Sequence, residues 1–152
     1  MSTDSITRPM SSEELFALPF NKKWQRWLFR GELRIRRMTK RNPSHSGVVS
    51  RVSQLLNNWL DAQPRPRGKV YAGEVYFRIR RDPDTIAGID VALASAELAA
   101  ATGKKASFVD GPPVLAVDVP SPYDKMKEVD EMVGEYLDCG VRLVWVIDPM
   151  DE

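Results

Sequence analysis

The spacing of apolar residues along the chain predicts alternating helices and strands from residue 11 onward. Two stretches, Val48–Leu60 and Met126–Leu137, repeat apolar residues every three to four positions, as amphipathic helices do. Five further runs have strand character: residues 32–36, 70–79, 88–93, 114–119 and 141–148. The last run is nearly continuous, which is typical of a strand covered on both faces. With a short capped helix from Ser11, this order predicts an α/β fold with helices packed on a mixed sheet.

Two of the predicted strands each contain one aspartate in an otherwise apolar run. Asp90 lies in Ile89–Leu93, and Asp118 lies in Val114–Val119. A buried carboxylate costs several kcal/mol unless it is paired or binds a cation. Since adjacent strands lie about 4.8 Å apart, Asp90 and Asp118 could hold one cation if their strands are neighbours. Each acid taken alone could equally be a solvated strand end or the partner of a nearby arginine.

The composition narrows the kind of protein and the kind of metal. A length of 152 residues suggests one domain over residues 11–152 after a flexible segment at residues 1–10. The net charge of +1 does not by itself indicate an acidic partner. His45 is the one histidine and Cys139 the one cysteine, so a metal would be held mainly by oxygen, which favours Mg²⁺ or Mn²⁺ over zinc. With no signal-peptide pattern and no apolar run near the roughly 20 residues of a membrane span, we expect a cytoplasmic protein without a membrane partner.

A basic stretch from Asn21 to Arg41 suggests a nucleic-acid surface, because Trp24 and Trp27 are interleaved with its many cations. The residues expected to contact phosphates are Lys22, Lys23, Arg26, Arg30, Arg36, Arg37, Lys40 and Arg41. The alternative is a solvated basic face whose tryptophans belong to the core.

A series of short motifs also occurs in one order along the chain. They are Gly31-Glu32-Leu33, Ser44–Gly47, Gly73-Glu74, Phe77–Thr85, Ile89–Ala92, Leu115–Val119, Ser121–Asp124 and Gly140–Pro149. The series resembles the Uma-type family of restriction endonucleases, in the PD-(D/E)XK nuclease superfamily. The resemblance implies a restriction-endonuclease-like mixed β-sheet flanked by helices, Mg²⁺-dependent cleavage of DNA, and a metal held by Asp90 and Asp118 with Glu32 assisting. It also implies at least one strand beyond Pro149.

The resemblance draws attention to a missing lysine. Pro120 stands at the position of the motif's lysine, and Met132 stands where related nucleases recruit one from the following helix. At about 100° per residue, Lys125 lies about 20° from Met132 around the helix axis, so Lys125 is the candidate substitute. Two alternatives stay open: a non-catalytic nucleic-acid-binding or protein-interaction module that keeps the fold, and a structural homodimer.

Three other reactive side chains are expected to have ordinary roles. His45, just inside a helix start, should cap or hydrogen-bond rather than bind metal or act as a base. Glu74 should pair with a neighbouring arginine rather than complete the site, and Cys139 should pack at a helix end.

Overall fold

The computed structural model describes residues 8–38 and 42–151, which form four helices and seven strands. The helices are α1 (Ser12–Ala17), α2 (Pro43–Asp61), α3 (Ala96–Ala101) and α4 (Met126–Asp138). The strands are β1 (Trp24–Phe29), β2 (Glu32–Arg37), β3 (Lys69–Arg80), β4 (Thr85–Ala94), β5 (Val109–Asp110), β6 (Leu115–Asp118) and β7 (Leu143–Val146). The predicted α/β class with a mixed sheet is confirmed, whereas β1 and β5 were not predicted. In the described ranges, no helix has the length and apolarity needed to cross a membrane.

Two strands, β1 and β6, pair with different parts of the same edge of β4, so the sheet is divided there. The other edge of β4 pairs with β3, which is followed by β5. On the divided edge, β1 contacts β4 at Ile86, and β6 pairs with β4 only from Val91 to Leu93. Within the described chain, no strand covers this edge at residues 87–89. The division leaves an opening between the antiparallel β1–β2 hairpin and the parallel β6–β7 pair.

Three apolar clusters attach the helices to this sheet. Tyr136 of α4 is buried with Phe77 in the largest cluster, and Leu56 of α2 is buried with Val117 in a second. Leu15 of α1 packs where β1 meets β4. Each fully buried large apolar side chain contributes about 1.5–3 kcal/mol, so these contacts hold α2 and α4 firmly beside the opening.

Capping side chains mark the starts of α1 and α2. Asn42 caps α2 by accepting a hydrogen bond from the His45 N–H at 2.8 Å, and Ser11 caps α1 as expected. Asp124 precedes α4 but does not cap it, because Lys125 occupies the N-cap position without a side-chain cap. The Asp124 carboxylate instead accepts from the Ser121 N–H at 2.7 Å. This leaves its other oxygen available for a contact across the opening.

The prediction that the last apolar run is covered on both faces was wrong. Leu143, Trp145 and Val146 of β7 are 48%, 39% and 41% exposed, because in the described sheet β7 pairs with β6 alone. Leu55 and Trp59, which share the predicted apolar stripe of α2, are likewise 53% exposed each. Apolar spacing identified these elements but could not tell what covers them.

At the N-terminus, residues 1–7 of the segment expected to be flexible lie outside the described residues. Met10 is held by a hydrogen bond to the carbonyl of Gly31 at 2.9 Å. A side chain at position 31 would contact Pro9, so this close approach requires glycine there.

Candidate active site

A cavity lies where the sheet divides, between the β1–β2 hairpin and the starts of α2 and α4. Apolar side chains such as Trp27 and Met132 form part of its wall. Its other lining is strongly polar, with acids in excess of bases. The charged and imidazole side chains that line it are Arg36, Arg37, His45, Glu74, Asp90, Asp118, Asp124, Lys125 and Glu128.

Asp90 and Asp118 lie side by side in this cavity. The antiparallel register pairs Val91 with Val117, and one further residue places Asp90 opposite Asp118. The Cβ atoms of directly opposed residues are about 4.5–5.5 Å apart. Oδ2 of Asp90 also accepts a hydrogen bond from the Val119 N–H at 2.8 Å, which orients that carboxylate towards the end of β6. The structure therefore brings together the two acids that the sequence singled out.

The Asp118 carboxyl group resists ionisation in this setting. Burial, followed by the negative charges of Asp90 and Asp124, raises the pKa of Asp118 to about 7, although Arg36 opposes the rise. Burial and the charges of Asp118 and Asp90 also raise the pKa of the Tyr136 phenol. Negative charge is in excess around Asp118, and a divalent cation would balance it.

Glu74 is a third acid of the cavity, and a β-bulge places it there. Gly73 and Glu74 interrupt the β3–β4 register, so that two residues of β3 stand opposite the single residue Asp90. Their φ angles are +89° and +67°, and the second lies in a region that a glutamate adopts only at a cost in energy. Oε1 of Glu74 accepts a hydrogen bond from Gln25 Nε2 at 2.5 Å. A glycine in the middle of a strand often marks a bulge, and Gly73 was the sequence signal that could have placed Glu74 in the site.

His45 supports Asp90 from the first turn of α2. Its Nε2 lies 3.4 Å from Oδ1 of Asp90, and 9% of its side chain is exposed. Nδ1 is buried and has no hydrogen-bond partner in the described part of the chain. The Nε2 contact places His45 beside Asp90, and its hydrogen-bonding role stays a prediction.

Lys125 and Met132 both line the cavity, although Lys125 is an N-cap residue with extended backbone angles and lies outside the helical turns. Lys125 is exposed at the N-cap of α4, and Met132 packs against the main apolar cluster. The two residues are seven positions apart, which is about 10 Å along a helix axis, a separation that the angular argument ignored. The Lys125 ammonium would therefore act from the mouth of the cavity and not from the place of Met132.

Glu32 is not brought together with the two aspartates. It begins β2 outside the cavity lining, with 70% of its side chain exposed and its carboxylate 3.9 Å from Arg34. Arg36, the nearest cavity residue on the same strand, is four positions away, roughly 13 Å. We therefore replace Glu32 by Glu74 in the candidate set of acids.

The basic stretch does not form one free cationic surface. Three of its arginines pair with acids on or beside α4: Arg30 with Glu135, Arg34 with Glu131 and Arg36 with Asp124. Arg26 donates to the carbonyl of Pro19 at 2.8 Å. Lys22, Lys23 and Arg37 are exposed, and Lys40 and Arg41 lie outside the described residues.

Comparison with known proteins agrees with the motif series. Residues 12–152 match the Uma2 family, described as "Putative restriction endonuclease". The fold is similar to a crystal structure from Anabaena variabilis, titled a putative nuclease belonging to DUF820, with a TM-score of 0.70 and 16% identity over 95% of this chain and 82% of that chain. No curated protein gives a significant match. The predicted family resemblance and the nuclease-like fold are thus confirmed.

Proposed function

Because this chain belongs to the Uma2 family of putative restriction endonucleases, we propose that it hydrolyses phosphodiester bonds of DNA with Mg²⁺ or Mn²⁺. The family and the fold support a nuclease in general, without specifying its metal or its substrate. The observation that carries the finer proposal is the opposed pair Asp90 and Asp118 in a cavity that raises the pKa of Asp118 to about 7. Without a cation, two neighbouring carboxylates destabilise the folded protein through their repulsion and burial. With a cation bound, the same two groups would hold a catalytic metal.

The donor set of the cavity fits a hard divalent cation. Asp90, Asp118 and Glu74 supply carboxylate oxygens, which Mg²⁺ and Mn²⁺ prefer. Among the described residues, no three acid, histidine or cysteine side chains converge on one point in ligand geometry, so binding would require them to move together. When bound, the ion would supply a Lewis acid and lower the pKa of water next to the phosphate.

The chain's own residues would position the reaction. Asp90 is oriented by the Val119 N–H and by His45, so its carboxylate is already directed towards Asp118. Lys125 would place a positive charge at the cavity mouth, where it can stabilise the charge that develops on the phosphate. Trp27 offers a flat apolar wall for a base or a sugar.

Cleavage of supercoiled plasmid with Mg²⁺ or Mn²⁺ tests this proposal directly. We expect Asp90→Asn to reduce the cleavage rate about a thousandfold, because the substitution removes a charge that the cation needs. Asp130→Asn, on the exposed surface of α4, makes the same charge change and should leave the rate unaltered. Absence of divalent-dependent cleavage by the wild-type protein, with DNA binding intact, would refute the enzymatic reading.

The role of Lys125 has a matched control two residues away. We expect Lys125→Ala to slow cleavage at least about tenfold, whereas Lys127→Ala, exposed and outside the cavity lining, should change it less than about twofold. Single-turnover rates on the same plasmid compare the two variants. Equal rates for both would remove Lys125 from the site and leave Asp90 and Asp118 unaffected.

Gly88 offers a test of Glu74 that leaves the acid itself in place. A Cβ atom at position 88 would lie 2.7 Å from Cγ of Glu74, so Gly88→Ala must displace that side chain. We expect Mn²⁺ affinity, measured by calorimetry, to fall about tenfold or more. Gly47→Ala is the control, since a Cβ there meets nothing within 4 Å. Unchanged affinity in the Gly88 variant would show that Glu74 is not a ligand.

A nucleic-acid-binding module without turnover is the second candidate. Met132 favours it, because this apolar side chain lines the cavity at the position from which a helix lysine would be recruited. In that case DNA would bind in the cavity, but no divalent cation would promote cleavage.

A further inference from the structure

We propose that Arg36 is the phosphate-binding residue of the cavity, and that Asp124 holds its guanidinium as an internal substitute for phosphate until nucleic acid arrives. This inference rests on the proposed function, because it assigns a step of substrate binding to the same site. It predicts that part of the binding energy of nucleic acid is used to break an ion pair within the protein.

Arg36 is presented to the cavity by an unusually complete set of contacts. Its Nε and Nη2 donate to Oε1 of Gln25 at 3.2 and 2.7 Å, and its Nη1 donates to Oδ1 of Asp124. The guanidinium also lies 5.6 Å from the centre of the Trp27 ring. Its side chain is 40% exposed, so a phosphate oxygen can approach it from solvent. A planar fork held in this way matches phosphate geometry without further ordering.

Asp124 is as firmly held as its partner. Its Oδ2 accepts from the Ser121 N–H at 2.7 Å while its Oδ1 contacts Arg36. The carboxylate thus presents an anionic oxygen to the fork, as a phosphodiester would. A phosphodiester that approaches Nη1 would compete with Asp124 for the charge and the N–H groups of Arg36.

The electrostatics of the cavity favour such an exchange. Arg36 and Asp124 line the same cavity as Asp90 and Asp118, so both charges act on the Asp90–Asp118 pair. While Asp124 neutralises Arg36, the acids of the cavity repel an incoming phosphate. Once Arg36 turns to phosphate, it supplies positive charge next to the Asp90–Asp118 pair.

The other paired arginines of the hairpin are poorly placed for this role. Arg30 is bound to the buried Glu135, and Arg34 makes a bidentate pair with Glu131 at 2.8 and 3.1 Å. Neither of these arginines lines the cavity. The pair Arg34–Glu131 therefore serves as a control that has the same chemistry but lies outside the site.

Anisotropy of a short fluorescein-labelled DNA duplex, in EDTA so that no cleavage intervenes, tests the exchange. We expect Asp124→Asn to tighten binding about three- to tenfold, because it releases Arg36 while keeping an acceptor for the Ser121 N–H. Glu131→Gln makes the same change in net charge and should alter binding less than about twofold. Arg36→Gln should weaken binding about tenfold and reduce the slope of log K against log salt by about one.

The double variant separates exchange from a simple gain in net charge. In the Arg36→Gln background, Asp124→Asn should produce no further tightening, since the residue that it frees is gone. Equal tightening in both backgrounds, or an equal gain from Glu131→Gln, would refute the exchange. If the wild-type protein cleaves plasmid and Asp124→Asn binds no tighter, the inference fails while the proposed function stands. If no duplex binds to any variant, both fail.

Discussion

Replacing Asp118 by asparagine is expected to raise the free energy of unfolding at pH 8, without divalent cations, by up to about 4 kcal/mol. Burial and neighbouring negative charges raise the pKa of Asp118 from its ordinary 3.8 to about 7. A difference of three pKa units corresponds to about 4 kcal/mol, and relaxation of the cavity makes this an upper limit. Asparagine has nearly the same shape, carries no charge and can donate a hydrogen bond to Asp90.

The pH dependence has a definite sign. The folded state holds the Asp118 proton more tightly than the unfolded state, so the wild-type protein loses stability as the pH rises from about 4 to about 7. Asp118→Asn does not undergo this loss. The difference in stability between the two proteins should therefore be small near pH 4, grow through this window and level off above pH 7.

Urea unfolding at a series of pH values in EDTA measures this difference, with Asp130→Asn as the control that removes an exposed acid. Adding Mn²⁺ should reverse the order, because only the wild-type protein retains the full set of acids and gains stability from binding. The same substitution should abolish cleavage. A difference between wild type and Asp118→Asn that does not vary with pH would contradict the perturbed ionisation of this group.

Replacing Glu135 by glutamine is expected to lower the free energy of unfolding by about 2–3 kcal/mol. The Glu135 side chain is 1% exposed and accepts hydrogen bonds from Arg30, from Arg80 at 2.6 Å and from Thr85 Oγ1 at 2.9 Å. Burial would raise the pKa of Glu135, but the hydrogen bonds from Arg80, Arg30 and Thr85 outweigh it and lower the pKa. The group is therefore ionised at neutral pH, and glutamine would remove the carboxylate that Arg30 and Arg80 share.

Glu131→Gln is the matched comparison, because it removes a carboxylate from the same helix and breaks the pair with Arg34. That pair is 37% and 25% exposed, so its loss should cost less than about 1 kcal/mol. Urea unfolding at pH 7 measures both variants. A loss at Glu135 no greater than that at Glu131 would show that burial adds nothing to this cluster. A larger loss would identify Glu135 as the residue that ties α4 to the β1–β2 turn and so keeps the cavity walls together.

The sequence predicted some parts of the site better than others, for reasons that individual residues make clear. Asp90 and Asp118 stood out because the cost of a buried carboxylate depends on its apolar neighbours along the strand. β1 was missed because its polar and apolar residues do not alternate: Gln25 and Arg26 are adjacent, and three apolar residues, Trp27 to Phe29, follow them. Glu74 was underrated because its position depends on a bulge, and Glu32 was overrated because a motif match does not report distance.

The sequence by itself determined the α/β class, the two long helices and the two apolar strands that carry Asp90 and Asp118. These features depend on patterns among residues close together in the chain, which local propensity and burial can specify. Only the tertiary structure decided which arginine forms an ion pair with which acid. Arg30 and Glu135 are 105 positions apart and Arg36 and Asp124 are 88 apart, so their pairing depends on how the hairpin and α4 dock on the divided sheet. That docking placed Arg30 and Arg36, two of the residues predicted to contact phosphates, in internal ion pairs, and of these two only Arg36 lines the cavity.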